Sequence, residues 1–270
     1  MKANQMTALV TGACGGIGQA LVKQLAQQGA SLHLTDRNEE ILIELQRQFS
    51  VESRPGQVIS TYAIDFNDNE QIDNLVNRLN QLEEPINVLV NNAGISRLEL
   101  FENLHGRDIE QMMHLNSVVP MMISNKLLPM LKRQPQARIV NIASTFGAIG
   151  FPGYSIYSAS KHAIRGFSEA LGRELADTNV RVGCFLPRAT KTSINTSKVI
   201  ELNQKLKVAM DSPEVVAREL VRFLESNRRE QALGWPEKFL VRANSVFPAL
   251  ISYAIEKNLP LIKQYASQDF

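Results

Sequence analysis

Along most of the chain, short aliphatic or β-branched runs alternate with longer stretches in which apolar residues recur at helical spacing. The runs are Ala8 to Val10, Ser31 to Leu34, Gln57 to Tyr62, Asn87 to Val90, Arg138 to Ile142 and Val180 to Phe185. They are mostly continuous rather than alternating, the pattern of strands covered on both faces. Strands that alternate with helices predict βαβ units, and therefore an α/β fold with a parallel sheet between two helical layers. Further on, Ser212-Pro213-Glu214 combines a capping hydroxyl, a first-turn proline and an acid that complements the helix dipole, and predicts a helix to about Ser226. No internal repeat or low-complexity stretch interrupts the alternation.

Composition narrows the picture. A chain of 270 residues, 44% hydrophobic and 21% charged, is long enough for one large core. Lys and Arg exceed Asp and Glu only by 29 to 27, so the strong basic field of a non-specific nucleic-acid binder is lacking. Cys14 and Cys184 lie far apart without redox or metal spacing and are expected to be reduced. His33, His105, His114 and His162 also lack ligand spacing, so no metal is expected and these residues are assigned to packing or surface. Met112, Met113, Met121 and Met122 fall at helical intervals and are assigned to the core. The segment Met1 to Met6 lacks the basic and apolar regions of a secretory signal, which points to the cytoplasm.

Directly after the first run comes Thr11-Gly12-Ala13-Cys14-Gly15-Gly16-Ile17-Gly18, followed by the helical stretch Gln19 to Gln28. Glycines between a strand and a helix allow a tight turn and let backbone N–H groups approach a pyrophosphate at the helix N-terminus. Gly12, Cys14, Gly16, Ile17 and Gly18 are thus the expected phosphate-side contacts of a dinucleotide. About eighteen residues beyond Gly18, Asp36 ends the second run, where a carboxylate can accept hydrogen bonds from ribose hydroxyls. This favours NAD, while Arg37 beside it offers a partner for a 2′-phosphate and leaves NADP open.

Tyr157 and Lys161 are four residues apart in a helical stretch and project from one face. A phenol ordinarily titrates near 10, and a neighbouring cation that stabilises its phenolate suits it for proton transfer at neutral pH. Ser144 follows the fifth run at the carboxyl edge of the sheet, where α/β folds bind ligands, and its hydroxyl is placed either to meet a substrate oxygen or to cap a turn.

The Gly12–Gly18 loop, Asn91-Asn92-Ala93-Gly94, Asn116, Ser144, Tyr157 and Lys161 together resemble the successive motifs of the short-chain dehydrogenases/reductases, over about residues 6 to 230. The resemblance implies a Rossmann-type, doubly wound parallel sheet of about seven strands. It implies that Tyr157 is the general acid in reduction and the base in oxidation. Lys161 would lower its pKa and hold the nicotinamide ribose, Ser144 would orient the substrate oxygen, and Asn116 would hold a water for proton relay. Asn92, Ala93 and Gly94 would lie beside the cofactor, Asp65 and Phe66 at the adenine, and Pro187, Thr190 and Thr192 over the nicotinamide carboxamide. The sequence departs from the family in one place, because Pro187 is followed by Arg188 where the family usually has glycine.

The implied activity is the interconversion of a ketone or aldehyde with an alcohol, on a small and largely apolar or acyl-type substrate, in a homodimer or homotetramer. A dinucleotide sensor without turnover and an epimerase-type relative are the alternatives. Residues 1–234 are assigned to the catalytic domain, with 188–211 as a mobile helical lid, and 235–270 to an apolar helical extension. In that extension Phe239, Ala243, Val246, Leu250 and Ala254 form one helical stripe, with Leu240, Phe247, Ile251 and Ile255 beside it. The uncharged run Ala243 to Ile255 contains Pro248 and is shorter than the roughly 20 residues of a membrane span. The extension could pack on the domain or a sister subunit, wall the substrate pocket, or lie on a membrane surface.

Overall fold

The computed structural model describes residues 1–51 and 54–267, and the last three residues of the C-terminal extension, 268–270, lie outside the described residues. Seven strands form one wholly parallel sheet in the order β3-β2-β1-β4-β5-β6-β7. They are β1 (Thr7–Thr11), β2 (Ser31–Asp36), β3 (Ile59–Ala63), β4 (Val88–Asn91), β5 (Ala137–Ile142), β6 (Val180–Leu186) and β7 (Glu230–Ala232). Successive residues of a strand point to opposite faces, so each strand feeds two cores. Ala8 and Val10 pack with the helices α1 (Gly16–Gln27), α2 (Glu39–Val51) and α8 (Pro213–Glu225). Leu9 packs on the other side with α3 (Asn69–Asn80) and α5 (Val119–Lys132). This two-sided burial is why the strand sequences read as continuous apolar runs.

The chain order reverses between β1 and β4, the two middle neighbours, and the crevice beyond their carboxyl ends is where such sheets bind ligands. The expected helix at Ser212 begins as its residues dictate, with the Ser212 hydroxyl accepting from the Val215 N–H. Two expected surface or packing histidines prove to be internal: His33 is buried against the Tyr62 hydroxyl, and half-buried His114 meets the Phe66 carbonyl. Met112 is buried, and Met122 packs on the second core.

The extension differs from the continuous stripe expected for it. It forms three short helices, α9 (Glu237–Val246), α10 (Pro248–Glu256) and α11 (Leu259–Ala266). Phe247 leaves helical geometry at φ −128° and ψ 61°, and Pro248, which lacks an N–H and disfavours a helical residue before it, starts a new helix. The stripe is therefore split: Val241 and Ile251 turn inward, whereas Phe239, Val246, Phe247 and Leu250 face water. The segment 188–211 contains α7 (Ser197–Lys205), whose Val199 and Leu202 pack against Ile262 and Tyr265 of α11. Among the described residues no helix is long and apolar enough to cross a membrane, and no cluster of three His, Cys, Asp or Glu is placed to hold a metal.

Candidate active site

The glycine loop turns immediately after β1. Gly12 has φ +64°, and a Cβ there would lie 2.7 Å from the Ala93 Cα. A Cβ at Gly18 would lie 2.2 Å from the Gly12 carbonyl oxygen, so the first turn of α1 closes against the loop only with glycine at that position. Asn92 fastens the loop from β4, its amide donating to the Thr11 and Gly12 carbonyls at 3.1 and 2.9 Å. The Thr11 hydroxyl accepts in turn from the Asn92 and Ala93 N–H groups, each at 3.0 Å. A backbone surface therefore faces the crevice at the N-terminus of α1, the geometry that receives a pyrophosphate.

Asp36 closes the side of this loop. One carboxylate oxygen accepts from the Cys14 N–H at 3.0 Å, and the other from the Arg37 and Asn38 N–H groups at 2.8 and 3.3 Å. Burial, reinforced by the Asp36 charge, pushes the Cys14 thiol up to about 12, so Cys14 is a neutral packing group and not a nucleophile. Exposed Asp65 follows β3, with one oxygen accepting from the Asn67 backbone and side chain at 2.9 Å. Phe66 differs from its expected place, because its side chain is buried in the core under α3.

From β4 the chain passes through Gly94 to the other half of the site. A Cβ at Gly94 would lie 2.9 Å from Asn116 Oδ1 and 3.4 Å from Lys161 Nζ, so this glycine leaves the gap in which the two side chains meet the strand end. Asn116 sits in a π-helical turn, His114–Val118, between α4 (Gly106–Met113) and α5. It donates to the Ile95 carbonyl at 2.9 Å and to the Ser160 hydroxyl at 3.0 Å, and it accepts from the Ile95 N–H at 2.8 Å. In this structure it ties strand end to helix through direct protein contacts. Behind it, Asn91 donates to Asn141 at 2.7 Å and Asn141 to Ser168 at 2.8 Å, a buried polar chain that joins β4, β5 and α6 (Ser155–Glu174).

Tyr157 and Lys161 lie on α6, and Ser144 caps a short turn, Thr145–Gly147, just beyond β5. The Ser144 oxygen accepts from the Phe146 N–H at 3.1 Å, and Ser144 is near enough to Tyr157 to act on the titration of its phenol. Ser144 therefore serves as the cap of this turn. Lys161 Nζ donates to the Ile142 carbonyl at 3.0 Å and stands 5.8 Å from the centre of the Tyr157 ring. Burial raises the pKa of Tyr157, with Ser144 pulling it back. Burial lowers Lys161 to about 8. For the phenol, loss of solvent through burial outweighs the pull of Ser144.

Opposite Tyr157, the rings of Phe146 and Tyr154 meet it edge-on at 6.4 and 5.9 Å, and Leu98, Phe151, Val199 and Ile262 complete an apolar wall. The wall joins the segment 188–211 and α11 to the Tyr157 face.

Comparison with known proteins follows the same lines. The family model for short chain dehydrogenase matches residues 6–203. The chain belongs to this family. A 3-oxoacyl-[acyl-carrier-protein] reductase FabG of Thermotoga maritima is 31% identical over 240 residues, which cover 87% of this chain and 96% of that protein. Among solved structures, a short chain dehydrogenase/reductase from Burkholderia phymatum in complex with NAD superposes with a TM-score of 0.79 at 22% identity, covering 90% of this chain and 94% of that one. A short-chain dehydrogenase from Sphingobium yanoikuyae in complex with NADPH gives 0.75 at 25% identity, covering 92% and 95%. As a short-chain dehydrogenase, this chain is an oxidoreductase of the dehydrogenase/reductase class.

Against the family pattern, the loop after β6 is built around Arg188. Its guanidinium grips Asp211 through two hydrogen bonds of 2.9 and 2.7 Å and also donates to the Trp235 carbonyl at 3.0 Å and to Glu237 at 3.2 Å. Gly234, at φ +88°, lies beneath it, with the position of a Cβ 2.6 Å from Arg188 Cδ. Thr190 is buried and returns its hydroxyl to the Arg188 carbonyl at 2.9 Å. Pro187 accepts from the Thr145 N–H at 3.1 Å through its carbonyl. Thr192 reaches the glycine loop, where a Cβ on Gly16 would come within 2.6 Å of its methyl. The sequence shows Arg188 only as a missing glycine, and it gives no sign of Ser160 as the partner of Asn116 or of the Ile142 carbonyl as the partner of Lys161. A backbone acceptor leaves no side-chain signal.

Proposed function

We propose that the protein is an NAD(P)-dependent oxidoreductase that interconverts a ketone or aldehyde with the corresponding alcohol on a small, largely apolar or acyl-type substrate. The observation that carries this reading is the grouping of Ser144, Tyr157 and Lys161, with Lys161 Nζ 5.8 Å from the Tyr157 ring, at the same sheet edge as the glycine loop. The cradle fits a dinucleotide. Gly12, Cys14, Gly16, Ile17 and Gly18 would offer backbone to the pyrophosphate, Asp36 would meet the adenosine ribose, and Asn92, Ala93, Gly94 and Thr192 would border the path toward Lys161. When bound, the dinucleotide supplies or accepts the hydride.

In the direction of reduction, Ser144 and Tyr157 hydrogen-bond the carbonyl oxygen, and the Tyr157 hydroxyl donates its proton as the carbon receives the hydride. A phenol raised by burial remains protonated at neutral pH and is primed as that donor. Lys161, a cation below about pH 8, would stabilise the phenolate left when the proton departs and would hold ribose hydroxyls. Oxidation runs through the same groups in reverse, with Tyr157 as base. The wall of Leu98, Phe146, Phe151, Tyr154 and Val199 supports an apolar or acyl substrate, as does similarity to a reductase of 3-oxoacyl groups. Asp36 supports NAD as the preferred cofactor, because a 2′-phosphate would meet its charge, while exposed Arg37 keeps NADP usable.

The test is a panel of aliphatic, aromatic and 3-oxoacyl ketones with NADH and NADPH, and of the matching alcohols with NAD and NADP, followed by nicotinamide absorbance. Turnover of apolar members is the expected result. A silent panel from a protein that binds dinucleotide would overturn the enzymatic reading in favour of a sensor.

A further inference from the structure

We propose that the α9–α10 hairpin is a membrane-surface docking element that binds bilayers containing anionic lipid. Trp235, Phe239, Val246, Phe247, Leu250 and Tyr253 are 59 to 71% exposed, all within one short stretch of chain. At roughly 100 Å² each, they present about 600 Å² of apolar surface, at the upper end of what single soluble chains display. Phe239 and Val246 are seven residues apart on α9, and Leu250 and Ala254 follow four residues apart on α10, with Phe247 at the bend between the helices, so each helix presents one outward apolar face.

The opposite faces are already occupied. Val241 packs beside Ala148 and Leu186, Ile251 is buried, and Asn244 donates to the Ala148 carbonyl at 2.9 Å. The hairpin is thus anchored to the domain with its second apolar face outward. A water-facing helix ordinarily turns polar residues to solvent, but α10 carries no charge before Glu256.

Charge decides the occupant. No Asp or Glu lies between Lys238 and Ile255; over 237–257 Lys238, Arg242 and Lys257 stand against Glu237 and Glu256, and the former of these carboxylates is taken up by Arg188. Among the described residues neither Lys238 nor Arg242 pairs with a carboxylate. Lys257 stands 4.5 Å above the Tyr253 ring. A second copy related by a two-fold axis would set this cationic rim against itself, whereas a negative lipid surface complements it. Trp235 and Tyr253 carry the amphipathic rings that sit at headgroup depth. With ten residues in α9 and nine in α10, the two helices lie on a bilayer and do not span it.

The full chain is sedimented with vesicles of phosphatidylcholine alone and of phosphatidylcholine with phosphatidylglycerol. Binding to the anionic vesicles that weakens with salt is the expected result. Phe247→Ser and Leu250→Ser should each lower the partition coefficient about tenfold, and Arg242→Gln or Lys257→Gln roughly fivefold on anionic vesicles with little change on neutral ones. Because these side chains face water, the melting temperature should stay that of the parent protein. Retention in the supernatant with both vesicle types overturns the proposal. So does light scattering that shows an oligomer dissociated by Phe247→Ser, because the face would then be covered by a second copy.

Discussion

Arg188→Gly substitutes the residue expected from the family and should weaken the fold rather than relax it. The guanidinium, Asp211 and Glu237 side chains are 15, 12 and 16% exposed, so this is a largely buried ion cluster. Removing its cation leaves two carboxylates near each other without a partner. Loss of a charge-assisted, two-pronged hydrogen bond costs about 2 kcal/mol, reduced from the fully buried limit by residual solvent. The added backbone freedom of glycine in the unfolded chain costs about 0.5–1 kcal/mol more. At about 2–4 °C per kcal/mol for a domain of this size, the melting temperature should fall by roughly 5–12 °C. Arg188→Lys, which keeps the charge but not the fork, should fall between the two. Thermal unfolding followed by circular dichroism measures this, and limited proteolysis at 188–211 reports whether that segment loosens with it. Melting within about 1 °C of the parent for both variants would refute the reasoning, and would mean that Asp211 and Glu237 are solvated without Arg188.

Other outcomes follow from the same structure. Asp36→Ala should lower NAD affinity roughly ten- to hundredfold through lost ribose hydrogen bonds and raise relative use of NADP; competitive binding of both dinucleotides checks it, and an unchanged ratio rules out contact with the ribose. Lys161 is lowered to about 8 by burial against 10.5 when exposed, so the unfolded chain binds the extra proton between those values and stability from this group rises with pH there, by about 3 kcal/mol at most. Denaturant midpoints of the parent should therefore climb relative to Lys161→Met from pH 8 to 10.5, and parallel curves would contradict the buried ammonium. Gly18→Ala should lower dinucleotide affinity at least tenfold by forcing the Gly12 carbonyl out of the loop, read by fluorescence titration, and unaltered affinity would show that the loop can yield.

How much of this was legible in the sequence depended on where the determining contacts lie. Strands β1 to β6 were legible because two-sided burial demands continuous apolar residues, and α8 because Ser212, Pro213 and Glu214 act locally. Strand β7 was not, since Glu230-Gln231-Ala232 carries no apolar run and exists by pairing with Cys184 to Leu186 of β6. The positions of Tyr157, Lys161, Ser144 and the glycine loop were readable as motifs, but the electrostatics were not: the partner of Lys161 is a backbone carbonyl. Phe66 looked like a neighbour of the cofactor from its place after Asp65, yet in the turn beyond β3 its side chain is buried in the core. The Arg188 cluster joins residues 23 and 49 positions away, beyond the reach of local pattern.

Tyr157→Phe tests the central claim most directly, since it removes one hydroxyl from a ring whose packing against Phe146 and Tyr154 is retained. Turnover of the best carbonyl substrate, measured beside the dinucleotide dissociation constant, should fall by at least about a thousandfold with cofactor affinity within a few fold. Turnover equal to that of the parent protein would contradict the assignment of Tyr157 as proton donor.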